Sequence, residues 1–186
     1  MATFGYNTVG ATISNISVGV IAGTLSVLPV EGVISSLSLY IVSNWTSGDK
    51  VKGGIYDSSG NYLNYETEEI STGLSLNSWN VFNFVSPPTL AAGSYYLVFW
   101  SDRLGGVNTM TIGADTGSSN QLFDTSGQTY PTWVNGLAHT STSIKSIYAT
   151  YTATSNIKSY NTNVKANIKS INTNVIANVK SLNTNP

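Results

Sequence analysis

Residues 36–41 read SLSLYI, and that alternation decides the fold class. Leu37, Leu39 and Ile41 fall on one side of an extended chain, with Ser36, Ser38 and Tyr40 on the other. Successive side chains of a strand point to opposite faces, so the segment predicts a half-buried β-strand. The same period recurs outward from it. Val51, Gly53 and Ile55 alternate with Lys50, Lys52 and Gly54, and Asp57-Ser58-Ser59-Gly60-Asn61 then makes a tight turn into residues 62–70. Gly and Asn in that turn tolerate the positive φ that a hairpin loop demands. Residues 79–84 and 95–100 are apolar on both faces, which predicts two central strands with Trp79 and Trp100 in the core. Pro87-Pro88 stops pairing between them, and Ala92-Gly93 turns the chain. Residues 107–112 and 143–151 bring the expected count to about eight strands, the spacing of a sandwich or barrel. Residues 118–139 loosen into a long, aromatic-bearing connection, and nothing before residue 150 shows a helical period. The expected body is an all-β, antiparallel sandwich.

Four pieces of the body carry a resemblance: GGIYDSSGNYLNYETEEI (53–70), SWNVFNF (78–84), PPTLAAGSYYLVFWSD (87–102) and SIYATYT (146–152). Together they resemble jelly-roll modules of secreted bacterial and archaeal surface proteins and of phage tail or capsid-surface proteins. Those modules are similar in outline to carbohydrate-binding modules. The likeness covers residues 3–152, and its LxAGxYxLVxWSD element speaks for the fold far more than for a ligand. It implies adhesion, decoration or accessory binding rather than turnover.

Charged residues make up only 9 % of the chain, far below the roughly 25 % of an average soluble protein. Ser, Thr, Asn and Gly fill the surface instead, as suits a virion or an extracellular or cell-surface location. The net charge of −1 conceals an asymmetry. Nine acids against four bases before residue 155 give the body −5, while Lys158, Lys165, Lys169 and Lys180, with no acid among them, give the remainder +4. An acidic body repels phosphate backbones, so nucleic acid is not an expected partner. There is no cysteine for a disulfide framework or thiolate site. The N-terminal stretch has no basic n-region, and no apolar run approaches the roughly 20 residues a membrane span needs, so no membrane insertion is expected.

After the sandwich (1–152) comes a segment (153–186) that says one phrase three times: NIKSYNTNVKA (156–166), NIKSINTNVIA (167–177) and NVKSLNTNP (178–186). A repeat that short cannot bury its own apolar residues, and must stack on neighbours, on the body or on other copies. Ile157, Tyr160, Val164, Ile168, Ile171, Val175, Val179 and Leu182 recur at steps of three and four, an eleven-residue period of about 3.67 per turn that predicts a helix in a right-handed supercoil. One narrow stripe buries only one side, so this helix predicts a bundle, most simply a homotrimer. Asparagine, threonine and serine are mediocre helix formers, and a β reading stands beside the helical one. Tyr160, Thr162, Val164, Ala166 and Ile168 alternate on one face, as do Ile171, Thr173, Val175, Ala177 and Val179.

Candidate site residues are few. His139 is the only histidine, so no histidine-based pair or metal cage can be built. Glu66 and Glu68 share a strand face about 7 Å apart, which overlaps glycosidase spacing. Glu66, Glu68 and Glu69 read more simply as a solvated strand face that discourages edge pairing. Asp57 and Asp124 sit in turns, where Asp serves its own backbone. A structural Ca²⁺ on two such residues is the one cofactor considered. Trp45, Tyr130 and Trp133 are aromatics in predicted loops, with Asn135 nearby. Their flat faces could stack on sugar rings or fold over the sandwich rim as a plug. The expected function is a non-enzymatic structural or adhesion protein (fibre, decoration or filament subunit) that assembles through its repeat tail. The alternative is a carbohydrate-binding module with glycan partners and the tail as linker. A filament subunit could also complete a neighbour's sheet by strand addition.

Overall fold

The computed structural model describes residues 1–103, 109–124 (backbone alone at 118–120, 123 and 124), 129–137 and 141–154. Among them the chain is all-β, with twelve strands: β1 (Ala2–Gly5), β2 (Thr12–Ile16), β3 (Ile21–Leu28), β4 (Gly32–Ser43), β5 (Val51–Asp57), β6 (Tyr62–Glu66), β7 (Ser78–Asn83), β8 (Thr89–Leu90), β9 (Gly93–Ser101), β10 (Met110–Asp124), β11 (Ser141–Lys145) and β12 (Ile147–Ala153). All pairings between them are antiparallel.

Residues 36–41 lie in β4, the spine of the first layer. β12 pairs along one edge of β4, from Ile147 opposite Leu39 to Ala153 opposite Gly32. β7 and β8 pair along the other edge, and β1 flanks β12. β10 takes over from β12 at Ile41 and Ser43, carrying β2 and β11 on its own edges. The second layer runs β3-β9-β5-β6. β10 belongs to both layers, because Leu122, Phe123 and Asp124 at its end pair with Gly23, Ala22 and Ile21 of β3.

The alternation read from the sequence fixes which side chains meet between the layers. Leu37, Leu39 and Ile41 of β4 are fully buried with Val51 and Ile55 of β5 and Leu97 and Phe99 of β9. Phe82 of β7 and Phe99 of β9 touch edge to face at 4.8 Å, one ring from each layer. Gly53 is small because the layers leave no room there: an added Cβ would lie 2.8 Å from Leu37 Cδ1 and 3.0 Å from Phe99 Cε1.

Two expectations need correction. β9 is central and buried on both faces, as its composition predicts, but residues 79–84 form an edge strand. Asn80 and Phe82 point inward there, so parity sends Trp79 and Val81 outward. Trp79 is half-buried on the outer face, against Tyr40 and Tyr148. The expected count of strands also falls short. β1 and β2 carry one buried apolar residue each, Phe4 and Ile16, too few for a visible period. β10 extends to Asp124, well into the stretch read as a connection. β12 runs through Ala153, and the compact unit of the body is Met1–Ala153. Ile157, Tyr160, Val164, Ile168, Ile171, Val175, Val179 and Leu182, the whole expected oligomerisation stripe, lie outside the described residues, as does His139.

Candidate ligand-binding face

The outer face of the second layer is where the sequence-selected aromatics gather. β9 shows Tyr96, Val98 and Trp100 on that face, β5 shows Lys52, Gly54 and Tyr56, and β3 shows Ile21. A face this apolar cannot stand in water, and residues 129–137 cross it as a strap. Ile21, Tyr56, Tyr96, Val98, Trp100, Leu122 and Leu137 form a second core, with Tyr130, Trp133, Val134 and Tyr62 half-buried against it. Backbone bonds pin the strap: Gly136 N–H and Leu137 N–H both donate to Gly60 O, at 2.9 and 3.3 Å. Asn135 Oδ1 accepts the Tyr62 amide at 2.7 Å, which joins the strap to the start of β6.

Trp133 is the centre of the face. Its ring lies near-parallel to Tyr62 (5.2 Å, 20°) and meets Tyr56 and Trp100 edge-on at 6.1 and 5.6 Å. It sits directly over Gly54, where an added Cβ would come within 3.1 Å of the indole. Its Nε1 donates to Glu66 Oε2 at 2.7 Å, and Lys52 Nζ reaches the same oxygen at 2.6 Å. Lys52 Nζ also stands 5.9 Å from the indole centroid, within cation–π range. Tyr130 packs on Trp100 at 5.3 Å and donates its hydroxyl to Glu69 Oε2 at 2.8 Å, and Lys50 pairs with the other oxygen at 3.2 Å.

These contacts set the protonation of the face. Burial pushes the Glu66 carboxyl up, but the Lys52 and Trp133 hydrogen bonds and the Lys52 charge outweigh it and hold the pKa below the ordinary carboxylate value. Tyr130 is pushed far above the ordinary phenol range by burial, by its bond to Glu69 and by the charges of Glu69, Asp102 and Glu66. Tyr62 moves the same way through burial and the Glu66 charge. The face therefore presents neutral phenols and an ionised, already partnered carboxylate. Chemically it offers flat aromatic surface and hydrogen-bonding groups.

The structure brings Tyr130, Trp133 and Asn135 together and leaves Trp45 elsewhere. Trp45 packs against the inner core, and its Nε1 donates to Asp49 O at 3.1 Å. Beside it Asp49 accepts from Thr46 and from Arg103, which locks that corner. The three glutamates face solvent in part, as read from the sequence, but each is also engaged. Glu66 and Glu69 hold the strap, and Glu68 Oε1 accepts both the Asn83 amide at 3.0 Å and its side-chain Nδ2 at 2.9 Å. Asp57 is spent on its turn, with Oδ1 taking the amides of Ser59 and Asn61 at 2.9 Å while Gly60 adopts φ 83°. The Asp124 side chain lies outside the described residues, and among those described no three metal-ligating side chains come together. Lys52, Tyr56 and Tyr62 were not singled out from the sequence. The pair Gly53-Gly54 inside a strand was their one visible signal, since glycine in a strand marks close approach of another group.

The chain matches no known family model, no curated protein and no solved structure.

Proposed function

We propose that this chain is a non-enzymatic structural or adhesion subunit of a virion or cell surface, a jelly-roll head that assembles into a homo-oligomer through its repeat tail. The observation that carries the reading is the three-unit repeat, whose eleven-residue unit is too short to bury its own apolar residues. The engaged state of Glu66, Glu68 and Glu69 supports a non-enzymatic role, because a glycosidase pair needs one carboxyl raised in pKa within a cleft. The test is native mass spectrometry of the full chain against a chain ending at Thr154, which spares the Ala153–Gly32 pairing of β12. Oligomers from the first and monomers from the second are expected. Monomers from both at micromolar concentration would end the proposal.

A second reading, a carbohydrate-binding module, draws on one observation: Trp133 and Tyr62 stack with part of their rings exposed, beside Asn135. Glycan-array screening of Trp133→Ala and Trp45→Ala separates the two. Binding lost in Trp133→Ala, with assembly unchanged, favours this reading.

A further inference from the structure

The outer face of the first layer carries a second set of aromatics. The alternation that sends Leu37, Leu39, Phe82, Ile147 and Ala149 inward turns Tyr40 of β4, Trp79 and Val81 of β7, and Tyr148 of β12 outward. The register sets Tyr40 opposite Trp79, and in the next row Ser38 lies between Tyr148 and Val81. Trp79 meets Tyr40 at 5.4 Å and Tyr148 at 4.8 Å, so rings from three strands form one patch. Gly113 of β10 leaves room for it, since an added Cβ would lie 3.2 Å from Tyr40 Cδ1. The three rings are half-buried, and Val81 beside them is 51 % exposed. Ile13, opposite Gly113 on β2 and 60 % exposed, extends the apolar surface.

Two properties of this patch select its partner. The first is charge: β1, β2, β4, β7, β8 and β12 contain no Asp, Glu, Lys or Arg. Glu68 and Asp115 stand at the margins, and both already accept hydrogen bonds, Glu68 from Asn83 and Asp115 from Tyr6 and Ala11. A charged partner would find no counter-charge there. The second is hydrogen bonding. Among the described residues, Trp79 Nε1, Tyr40 OH and Tyr148 OH bond to no other protein group. The strap is the opposite case, with Trp133 Nε1 and Tyr130 OH already given to Glu66 and Glu69. A purely apolar partner surface would leave those three polar tips unpaired, at about 1–3 kcal/mol each. An uncharged sugar covers rings with its C–H faces and meets their tips with hydroxyls. We propose that the outer face of β4, β7 and β12 binds a single chain of an uncharged glycan, centred on Trp79. The interplanar angles of 73° and 64° make the patch stepped, which suits one soluble chain and not the flat face of a crystalline polysaccharide. The inference shares its ligand class with the second reading above, assigns it to a different face, and is independent of the repeat tail.

The test is an array of neutral, sialylated and sulfated glycans probed with the full chain, the strongest neutral hit then being titrated by calorimetry. The wild type is expected to retain a neutral glycan, and Trp79→Ala to bind it at least about tenfold more weakly. Tyr40→Phe and Tyr148→Phe keep the rings and lose only the hydroxyls, so they serve even where Trp79→Ala fails to fold. Each is expected to weaken binding roughly threefold with an unchanged thermal midpoint. Retention of charged glycans alone, or wild-type affinity in folded Trp79→Ala and in both phenylalanine variants, overturns the site. Binding lost in Trp133→Ala but kept in Trp79→Ala returns the ligand to the strap, which overturns this face and leaves the carbohydrate reading standing. A wild type that retains no glycan removes both. A smaller oligomer by light scattering in folded Trp79→Ala, with no glycan bound by the wild type, would give the face to a second copy.

Discussion

Lys145 shows how one residue constrains the fold. It is fully buried, with Nζ donating to Ser141 Oγ at 2.9 Å, and burial lowers its pKa from 10.5 to about 8. The unfolded chain keeps the proton up to pH 10.5, so between about pH 8 and 10.5 unfolding takes up a proton and this group's contribution to stability rises with pH. Urea denaturation of the wild type and Lys145→Met should therefore diverge across that window, the wild type gaining on the order of 3 kcal/mol relative to the variant. A constant difference from pH 7 to 10 would contradict the burial of this amine. Trp133 is the second residue to probe. Its indole fills the strap's seat over Gly54, and Trp133→Ala should cost about 3 kcal/mol, the low end for a large aromatic because the residue is only half-buried. Glu66→Gln keeps the shape but takes the carboxylate from Lys52, whose residue is only 8 % exposed. It should destabilise the fold near neutrality and narrow its gap from wild type in acid, where the wild-type Glu66 is protonated too.

At the scale of elements, β4, β5 and β9 could be read from local pattern, because each buries alternate residues or both faces over most of its length. β10 could not. Its middle reads GADTGSSNQ, and its position comes from distant partners. Gly117 is one sign of this, since an added Cβ would fall 2.1 Å from Ile144 Cγ1 on the neighbouring strand. Half of the candidate face was legible in the same sense. Loop aromatics identified Tyr130 and Trp133, but Lys52, Tyr56 and Tyr62 come from a hairpin some 70 residues away, brought under the strap by tertiary folding alone. Trp45 was grouped with them by residue type, and geometry separates it. Two substitutions test the elements. Gly53→Ala should destabilise by roughly 1–3 kcal/mol through overpacking against Leu37 and Phe99, seen as a lower chemical-denaturation midpoint. Asn135→Ala leaves the Tyr62 amide without its acceptor and should cost about 1 kcal/mol, with tryptophan emission shifted to the red as the strap loosens.

At the scale of the whole molecule, an acidic, sparsely charged body is followed by a basic repeat, and the proposed assembly draws on that contrast. Because head and tail carry opposite charge, association should weaken as salt rises from 0.05 to 0.5 M, with the Debye length shrinking from about 14 Å to about 4 Å. Assembly driven only by apolar stripes would hold or strengthen. The most direct measurement is hydrogen–deuterium exchange of the tail amides, residues 155–186, above and below the assembly concentration. The account predicts protection above that concentration and its loss on dilution. Tail amides that exchange freely at every concentration, or stay equally protected at every dilution, would contradict it.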